Sequence, residues 1–306
     1  MGEVGDSAPP GEARGFDGPE LRSLQVDPAW VDLRIRELRR SRSEGGPASR
    51  KEMAALIPLL DLTTLRGGDT RQSVRTLCGV ARSPLPRQTL AEVGGPERTP
   101  AAVCVHQAFI STAREALDGS EVRVATVAAG FPHALSSRRT RILDVEEAVA
   151  AGADEVDVVF PRFLALEERW EELYADLVAL RTAAGTKTVK VILATGELGG
   201  FTGIARASRV ALQAGADFIK TSTGMESVNA TVEAGLIMAR EIRSFHERTG
   251  VRAGLKPAGG IGDPEVALLW LHLVREELGE EWLNPEHFRF GASSLLETLA
   301  GRLTPG

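Results

Sequence analysis

Three lysines lie inside apolar segments of the chain, where a charged side chain is unexpected. They are Lys190 in Val-Lys-Val-Ile, Lys220 in Phe-Ile-Lys-Thr and Lys256 in Leu-Lys-Pro. Lysine is almost never fully buried without a partner, and two ammonium groups held close together disfavour each other's charge. Burial adds to this effect, so such an amine loses its proton more readily and can attack an aldehyde or ketone to form an imine. The residue types therefore indicate covalent amine chemistry on a carbonyl substrate.

This chemistry also needs a group that moves protons, and Asp157 is the best candidate in the sequence. It alternates with Val156 and Val158 in an apolar run, so that if the valines face outward it points inward with the lysines. Glu155 shares this parity but is expected nearer the opposite end of the strand, and Asp61 is a second inward candidate. The alternative is purely structural: the lysines reach the rim of the fold or pair with these acids without any catalysis.

Eight short apolar runs are expected to position these side chains. From residue 54 they alternate with amphipathic stretches, and several are nearly continuous in Val, Ile, Leu and Phe, as is typical of strands buried on both faces. Strand–helix alternation repeated eight times predicts a TIM (β/α)8 barrel, and the glycine-rich turn that usually marks an open dinucleotide-binding sheet is missing after the first run. The runs cover residues 56–65, 101–109, 122–131, 155–161, 188–196, 218–224, 253–260 and 288–294.

Inward side chains near the carboxyl ends of barrel strands converge on one cavity. Lys220 and Lys256 are one β/α unit apart in the chain, so we expect them on adjacent strands. The helical stretches that separate the runs include residues 138–151, 170–184, 205–214, 232–248 and 264–280.

The N-terminal part of the chain differs from the predicted barrel domain over residues 54–306. Residues 1–22 are rich in Gly, Pro, Glu and Asp and lack apolar periodicity, which predicts a disordered tail. Within a helical extension over residues 23–53, Asp27-Pro28 predicts the start of a helix and Gly45-Gly46-Pro47 its end.

Composition restricts the classes of function. The net charge of −6 gives no electrostatic reason to expect nucleic-acid binding, and no apolar run of the barrel-sized part is long enough to predict a membrane span. The two cysteines, Cys78 and Cys104, form no Cys-x-x-Cys pair and predict reduced thiols in a cytoplasmic protein. The sequence does not determine the oligomeric state, for which a homodimer or a homotetramer is the expectation.

Around these residues the chain resembles the deoxyribose-phosphate aldolases, over about residues 54–303. The most specific segments are Asp-Phe-Ile-Lys-Thr-Ser-Thr-Gly around Lys220 and Lys-Pro-Ala-Gly-Gly beginning at Lys256, and Asp-Leu-Thr-Thr-Leu from Asp61 adds to them. The resemblance implies a TIM barrel that uses no metal or organic cofactor. It also implies that Lys220 forms the Schiff base, that Lys256 promotes loss of the proton from the Lys220 amine, and that Asp157 relays protons.

The activity implied by the resemblance is the cleavage of 2-deoxy-D-ribose 5-phosphate into acetaldehyde and D-glyceraldehyde 3-phosphate, and the reverse synthesis. The substrate is a small aldehyde or sugar. Further substrate-contacting positions implied by the resemblance are Asp61, Thr64, Cys104, Lys190 and Thr223.

Two departures from the family pattern lie beside the expected phosphate site. Met225 and Gly262 stand where relatives usually have a lysine and an arginine. What remains for a phosphate is backbone N–H groups and hydroxyls. A charge-assisted hydrogen bond contributes about 1.5–3 kcal/mol, so losing two would raise KM about a hundredfold or more. The remaining groups belong to Gly224, Gly259, Gly260, Gly291, Ser293 and Ser294.

This loss leaves three functions open. The first is the aldolase acting on the phosphorylated sugar. The second is an aldolase of the same chemistry whose substrate lacks the phosphate or carries another end group. The third is a barrel that binds a sugar without catalysis, against which the intact Asp157, Lys220 and Lys256 argue.

Overall fold

The barrel strands lie where the apolar runs predicted them. The structure is a computed structural model that describes residues 11–93 and 98–304. Each predicted run contains one strand, because a strand covered on both faces leaves a nearly continuous apolar stretch in the sequence. The strands are β1 Leu60–Thr63, β2 Ala102–Val105, β3 Arg123–Ala128, β4 Glu155–Val159, β5 Thr188–Ile192, β6 Phe218–Lys220, β7 Gly254–Lys256 and β8 Phe290–Gly291.

The eight strands are parallel and form one sheet in the order β7-β6-β5-β4-β3-β2-β1-β8. Backbone hydrogen bonds join its two ends: the N–H of Leu255 donates to His287 O at 2.9 Å, and that of Arg289 donates to Leu255 O at 3.1 Å. The N–H of Gly291 donates to Pro257 O at 2.9 Å. The predicted TIM barrel is thereby confirmed.

Helices cover the outside of the barrel. Three predicted helices agree with the structure within one residue at each end. The helix after β5 begins four residues before residue 205, because Gly203 weakens the helical pattern yet is needed there: an added Cβ would lie 2.0 Å from Leu198 O. In the described part of the chain the helices are α1 Gly18–Ser23, α2 Pro28–Glu44, α3 Arg50–Ala55, α4 Arg71–Arg82, α5 Arg87–Val93, α6 Ile110–Ala116, α7 Arg138–Ala150, α8 Arg162–Leu166, α9 Trp170–Ala184, α10 Phe201–Gln213, α11 Val232–Thr249, α12 Pro264–Leu278 and α13 Ser294–Leu303.

The N-terminal extension packs against the barrel helices. As predicted, α2 begins after Asp27, whose carboxylate accepts from the N–H of Ala29 at 2.9 Å, and it ends before Gly45. Its apolar side chains Val31, Ile35 and Leu38 are buried, and the helix contacts α11 and α12. Across the described ranges, no helix has both the length and the apolar character needed to cross a membrane.

The disorder predicted for residues 1–22 is wrong for part of that segment. Residues 1–10 lie outside the described residues, but α1 is a short helix capped by Asp17, and its Leu21 side chain is fully buried. A helix of six residues is too short to show periodicity in the sequence, so the prediction missed it. The domain boundary near residue 54 stays a prediction; α3 spans it.

The strand register decides which inward side chains are neighbours. Lys220 is paired with Lys256 across β6 and β7, whereas Asp157 is paired with Lys190 across β4 and β5. The ring of Phe218, on β6, occupies the space inside the barrel next to Gly254 on β7. A Cβ added at Gly254 would lie 2.3 Å from this ring. The inward residues of β4 to β7 therefore meet in one enclosed space.

Candidate active site

Asp157 lies at the centre of a group of three buried lysines inside the barrel. The amines of Lys220 and Lys256 both donate to its Oδ2 atom, at 2.7 and 2.8 Å. Lys190 donates to the other oxygen, Oδ1, at 3.0 Å. The predicted convergence of the lysines on Asp157 is therefore present in the structure, and two of the amines share a single carboxylate oxygen.

A second layer of ion pairs lies below Asp157. Lys256 also donates to Asp61, and Lys190 also donates to Glu155. Arg289 joins these two acids, donating to Asp61 Oδ1 at 2.6 Å and to Glu155 Oε1 at 3.0 Å. We call the buried set the ion cluster; its members are Asp61, Glu155, Asp157, Lys190, Lys220, Lys256 and Arg289. Outside it, the partly exposed Arg123 donates to Glu155 Oε1 at 3.1 Å and also pairs with the exposed Glu286, so this outer pair adds no net charge.

The ion cluster holds one more cationic side chain than it holds carboxylates. Its members are almost completely buried, where unbalanced charge is costly. Loss of one proton from one amine would balance the charges. The composition of the cluster therefore favours one neutral amine among its lysines.

The surroundings hold most of the cluster in its charged form. Burial opposes the charge of Asp157, but Lys190, Lys220 and Lys256 outweigh it and keep the pKa of Asp157 well below its ordinary value. Burial likewise opposes the charge of Lys256, but Asp157 and Asp61 raise the pKa of Lys256 above its ordinary value. Asp157 is therefore a carboxylate, and Lys256 an ammonium, at neutral pH.

These shifts predict how stability depends on pH. The lowered pKa values of Asp61, Glu155 and Asp157 contribute stability above about pH 4, which is lost as the pH falls through the folded values. The raised pKa values of Lys190 and Lys256 contribute stability below about pH 10.4, which is lost as the pH rises further. We expect the melting temperature to be highest between these limits and to fall on both sides.

Thermal melting followed by circular dichroism from about pH 2 to about pH 11 would measure this dependence. As a control, Glu172→Gln removes an exposed ion pair with Arg169 and should keep the wild-type profile. A melting temperature that stayed constant down to about pH 2 would contradict the charged cluster.

A cavity of about 310 Å³ opens at the carboxyl end of the barrel. The loops that follow β6, β7, β8 and β1 line it. Of the ion cluster, Lys220 alone lines this cavity, and its side chain is 3% exposed. A substrate that enters the cavity therefore meets one amine, and the remaining charges act on it from below.

The sequence-predicted substrate positions fall into two groups. Lys190 and Asp61 belong to the buried layer of the cluster, and Cys104 lies among apolar side chains inside the barrel, where burial raises the pKa of its thiol to about 11. Thr64 lies outside the cavity and donates its hydroxyl to Asp69 at 2.8 Å. The positions that line the cavity are Thr223, Gly224, Gly259, Gly260, Gly291, Ser293 and Ser294.

Not every N–H group expected to bind an anion is available. The carboxylate of Glu226 accepts from the N–H groups of Thr223 and Gly224 at 3.1 Å, and the N–H of Gly291 donates to the backbone. Among the positions predicted to bind an anion, three keep an N–H group that has no acceptor within residues 11–93 and 98–304. These residues are Gly260, Ser293 and Ser294.

Sequence reasoning missed two cations near this site, Arg289 and Arg66. Arg289 stands between Phe288 and Phe290, the same pattern of a cation in an apolar strand that identified the lysines. Arg66 lines the cavity from the loop after β1, and no alternation marks it in the sequence. In the described part of the chain, no group of three or more His, Cys, Asp or Glu side chains could hold a metal ion.

Comparisons with known proteins show which family the chain is similar to. A family model described as DeoC/LacD family aldolase matches residues 56–299. Deoxyribose-phosphate aldolase of Mus musculus is 44% identical over 283 residues, covering 91% of this chain and 89% of the relative. The Homo sapiens enzyme of the same name is 42% identical over 283 residues, with the same coverage.

A solved structure shares the fold. The tetrameric deoxyribose phosphate aldolase from Aeropyrum pernix matches with a TM-score of 0.61 at 22% sequence identity. The match covers 86% of this chain and 95% of that one.

Proposed function

The chain belongs to the DeoC/LacD family of aldolases, and from this premise we propose that it cleaves and forms 2-deoxy-D-ribose 5-phosphate through an imine on Lys220. Family membership makes it an aldehyde-lyase. The observation that carries the proposal is that Lys220 is the cluster amine that lines the cavity, while its amine shares Asp157 Oδ2 with Lys256.

In the cleavage direction, the neutral amine of Lys220 attacks the aldehyde carbon C1 of the open-chain sugar. Uptake of one proton by the hydroxyl of the adduct, followed by loss of water, gives an iminium ion. Its positive charge restores the one-cation excess of the cluster, and it forms beside the carboxylate of Asp157. The charge of Lys256 on the same oxygen keeps that carboxylate from fully neutralising the iminium, so the iminium stays a strong acceptor of electrons.

The C2–C3 bond then breaks. A water held by Asp157 and Lys256 removes the proton of the C3 hydroxyl, and the electrons of the C2–C3 bond pass to the iminium and give an enamine. Glyceraldehyde 3-phosphate leaves. Protonation of the enamine at C2 and hydrolysis of the resulting imine release acetaldehyde and regenerate the amine.

A substrate comparison tests the proposal. Acetaldehyde release would be measured for 2-deoxyribose with and without the 5-phosphate. We expect the larger kcat/KM for the phosphorylated sugar. An equal or larger value for the free sugar would favour the second candidate, an aldolase for a substrate without phosphate. The neutral residues at positions 225 and 262 support that candidate.

A single substitution should improve the use of the phosphorylated sugar. Met225 lines the cavity and is 53% exposed, so a lysine at this position can reach an anion there. Because a charge-assisted hydrogen bond contributes about 1.5–3 kcal/mol, we expect Met225→Lys to lower KM for the phosphorylated substrate about tenfold or more. At Gly262, an added Cβ would lie 3.0 Å from Ser294 Oγ, so the change at Met225 is the simpler test.

Val228→Lys is the matched control for this variant. Val228 is 50% exposed in the same loop but does not line the cavity. The KM values of the Val228→Lys variant should therefore stay at the wild-type level. A KM that is unchanged in Met225→Lys would mean that the phosphate does not bind beside this loop.

Other expectations stay predictions. They are the absence of a metal or organic cofactor, assembly as a homodimer or homotetramer, and a cytoplasmic location.

A further inference from the structure

Arg66 is held in the loop after β1 by its backbone. Its N–H donates to Asp69 Oδ2 at 2.9 Å, and the hydroxyl of Thr64 donates to both carboxylate oxygens of Asp69 at 2.8 and 2.9 Å. Asp69 thus fixes the backbone of the loop without pairing with the guanidinium. Among the described residues, no carboxylate forms an ion pair with the Arg66 side chain, which is exposed.

This guanidinium belongs to the cavity above Lys220. Arg66 lines it together with Gly260, Ser293 and Ser294, three residues whose backbone N–H groups have no acceptor among the described residues. The loops after β7, β8 and β1 are consecutive around the barrel, so these donors come from adjacent positions. A guanidinium offers several N–H donors in a planar fork that suits two oxygens of a phosphate or carboxylate.

The charges of the cavity rim are asymmetric. On the side of β6 and β7, the rim carries the uncharged Met225 and Ile261, and the N–H groups of Thr223 and Gly224 are occupied by Glu226. On the side of β1, the rim carries Arg66. An anionic group at this rim therefore meets a positively charged side chain on the β1 side, that of Arg66.

We propose that Arg66 binds the anionic end of the substrate and determines the preference for a phosphorylated sugar. This inference rests on the proposed function for the reaction itself, but it assigns a residue that lies outside the segments carrying the family resemblance to Lys220 and Lys256. In place of the two cations that relatives usually have after β6 and β7, this chain has one, from the loop after β1.

The test compares two sugars in two variants. In Arg66→Leu we expect KM for 2-deoxyribose 5-phosphate to rise about 10- to 100-fold, since a charge-assisted hydrogen bond is lost, and KM for 2-deoxyribose to change less than about twofold. Arg66→Lys keeps the charge and should recover part of the loss. Arg71→Leu is the matched control: Arg71 is an exposed arginine at the start of α4, it does not line the cavity, and both of its KM values should match wild type.

A rise in KM for both sugars alike, or for neither, would overturn the role of Arg66. Inorganic phosphate keeps this test separate from the reaction. Calorimetric titration should detect phosphate binding to the wild-type protein and to Arg71→Leu, and at least tenfold weaker binding to Arg66→Leu. If the wild type cleaves neither sugar, the proposed function fails, and this titration alone decides about Arg66: selective weakening supports it, and equal or absent binding in all three proteins refutes it.

Discussion

Replacing Lys220 by alanine is expected to lower kcat by about 10⁴-fold or more, because the reaction then has no amine to carry the covalent intermediate. Of the ion cluster, Lys220 alone lines the cavity, so no neighbouring lysine can take its place on the substrate. Asp157 Oδ2 keeps the Lys256 amine at 2.8 Å, so the variant should remain folded, as circular dichroism can verify.

Reductive trapping would identify the reacting amine directly. Wild-type protein treated with acetaldehyde and borohydride should carry an N-ethyl group on Lys220, located by peptide mass mapping. The Lys220→Ala protein should show no such modification inside the barrel. Lys51→Ala removes an exposed lysine on α3 and should react like wild type. Near-normal turnover in Lys220→Ala would refute the covalent role.

Replacing Lys256 by leucine is expected to affect both stability and pH dependence. Lys256 is fully buried and donates to Asp61 and to Asp157, so its removal leaves buried carboxylates with fewer partners. Breaking such a pair costs about 3–5 kcal/mol in the free energy of unfolding. The change also removes the positive charge that shares Asp157 Oδ2 with the Lys220 amine, so we expect kcat near pH 7 to fall about 100-fold.

The pH–rate profile distinguishes an electrostatic role from a purely structural one. Without the charge of Lys256, keeping a proton on the neighbouring amine becomes easier, so the rising limb of kcat should move to higher pH. Arg289→Met is the control, because Arg289 is equally buried and pairs with Asp61 and Glu155 but not with Asp157. It should be destabilised to a similar extent, with a clearly smaller shift of the profile. Identical profiles in both variants would refute the role of Lys256.

Much of the fold and part of the site could be predicted from local patterns. The alternation of side chains along a strand placed Asp157 between two outward valines, and the structure has its carboxylate inside the barrel among the three lysines. The spacing of Lys220 and Lys256 by one β/α unit predicted adjacent strands, and their register pairs them directly. Gly203 shows the limit of such patterns, since its place in α10 depends on a close contact with Leu198.

The sequence by itself determined which face of each strand a residue occupies and how many strands form the barrel, because periodicity and apolar runs are local properties. Only the tertiary structure decided the height of each side chain and its partner. Of the ion cluster, it placed only Lys220 at the cavity, and it joined Asp61 to Glu155 through Arg289. It also paired the N–H group of Gly224 with the carboxylate of Glu226. These outcomes depend on barrel closure and loop conformation, which bring together residues that are far apart in the chain.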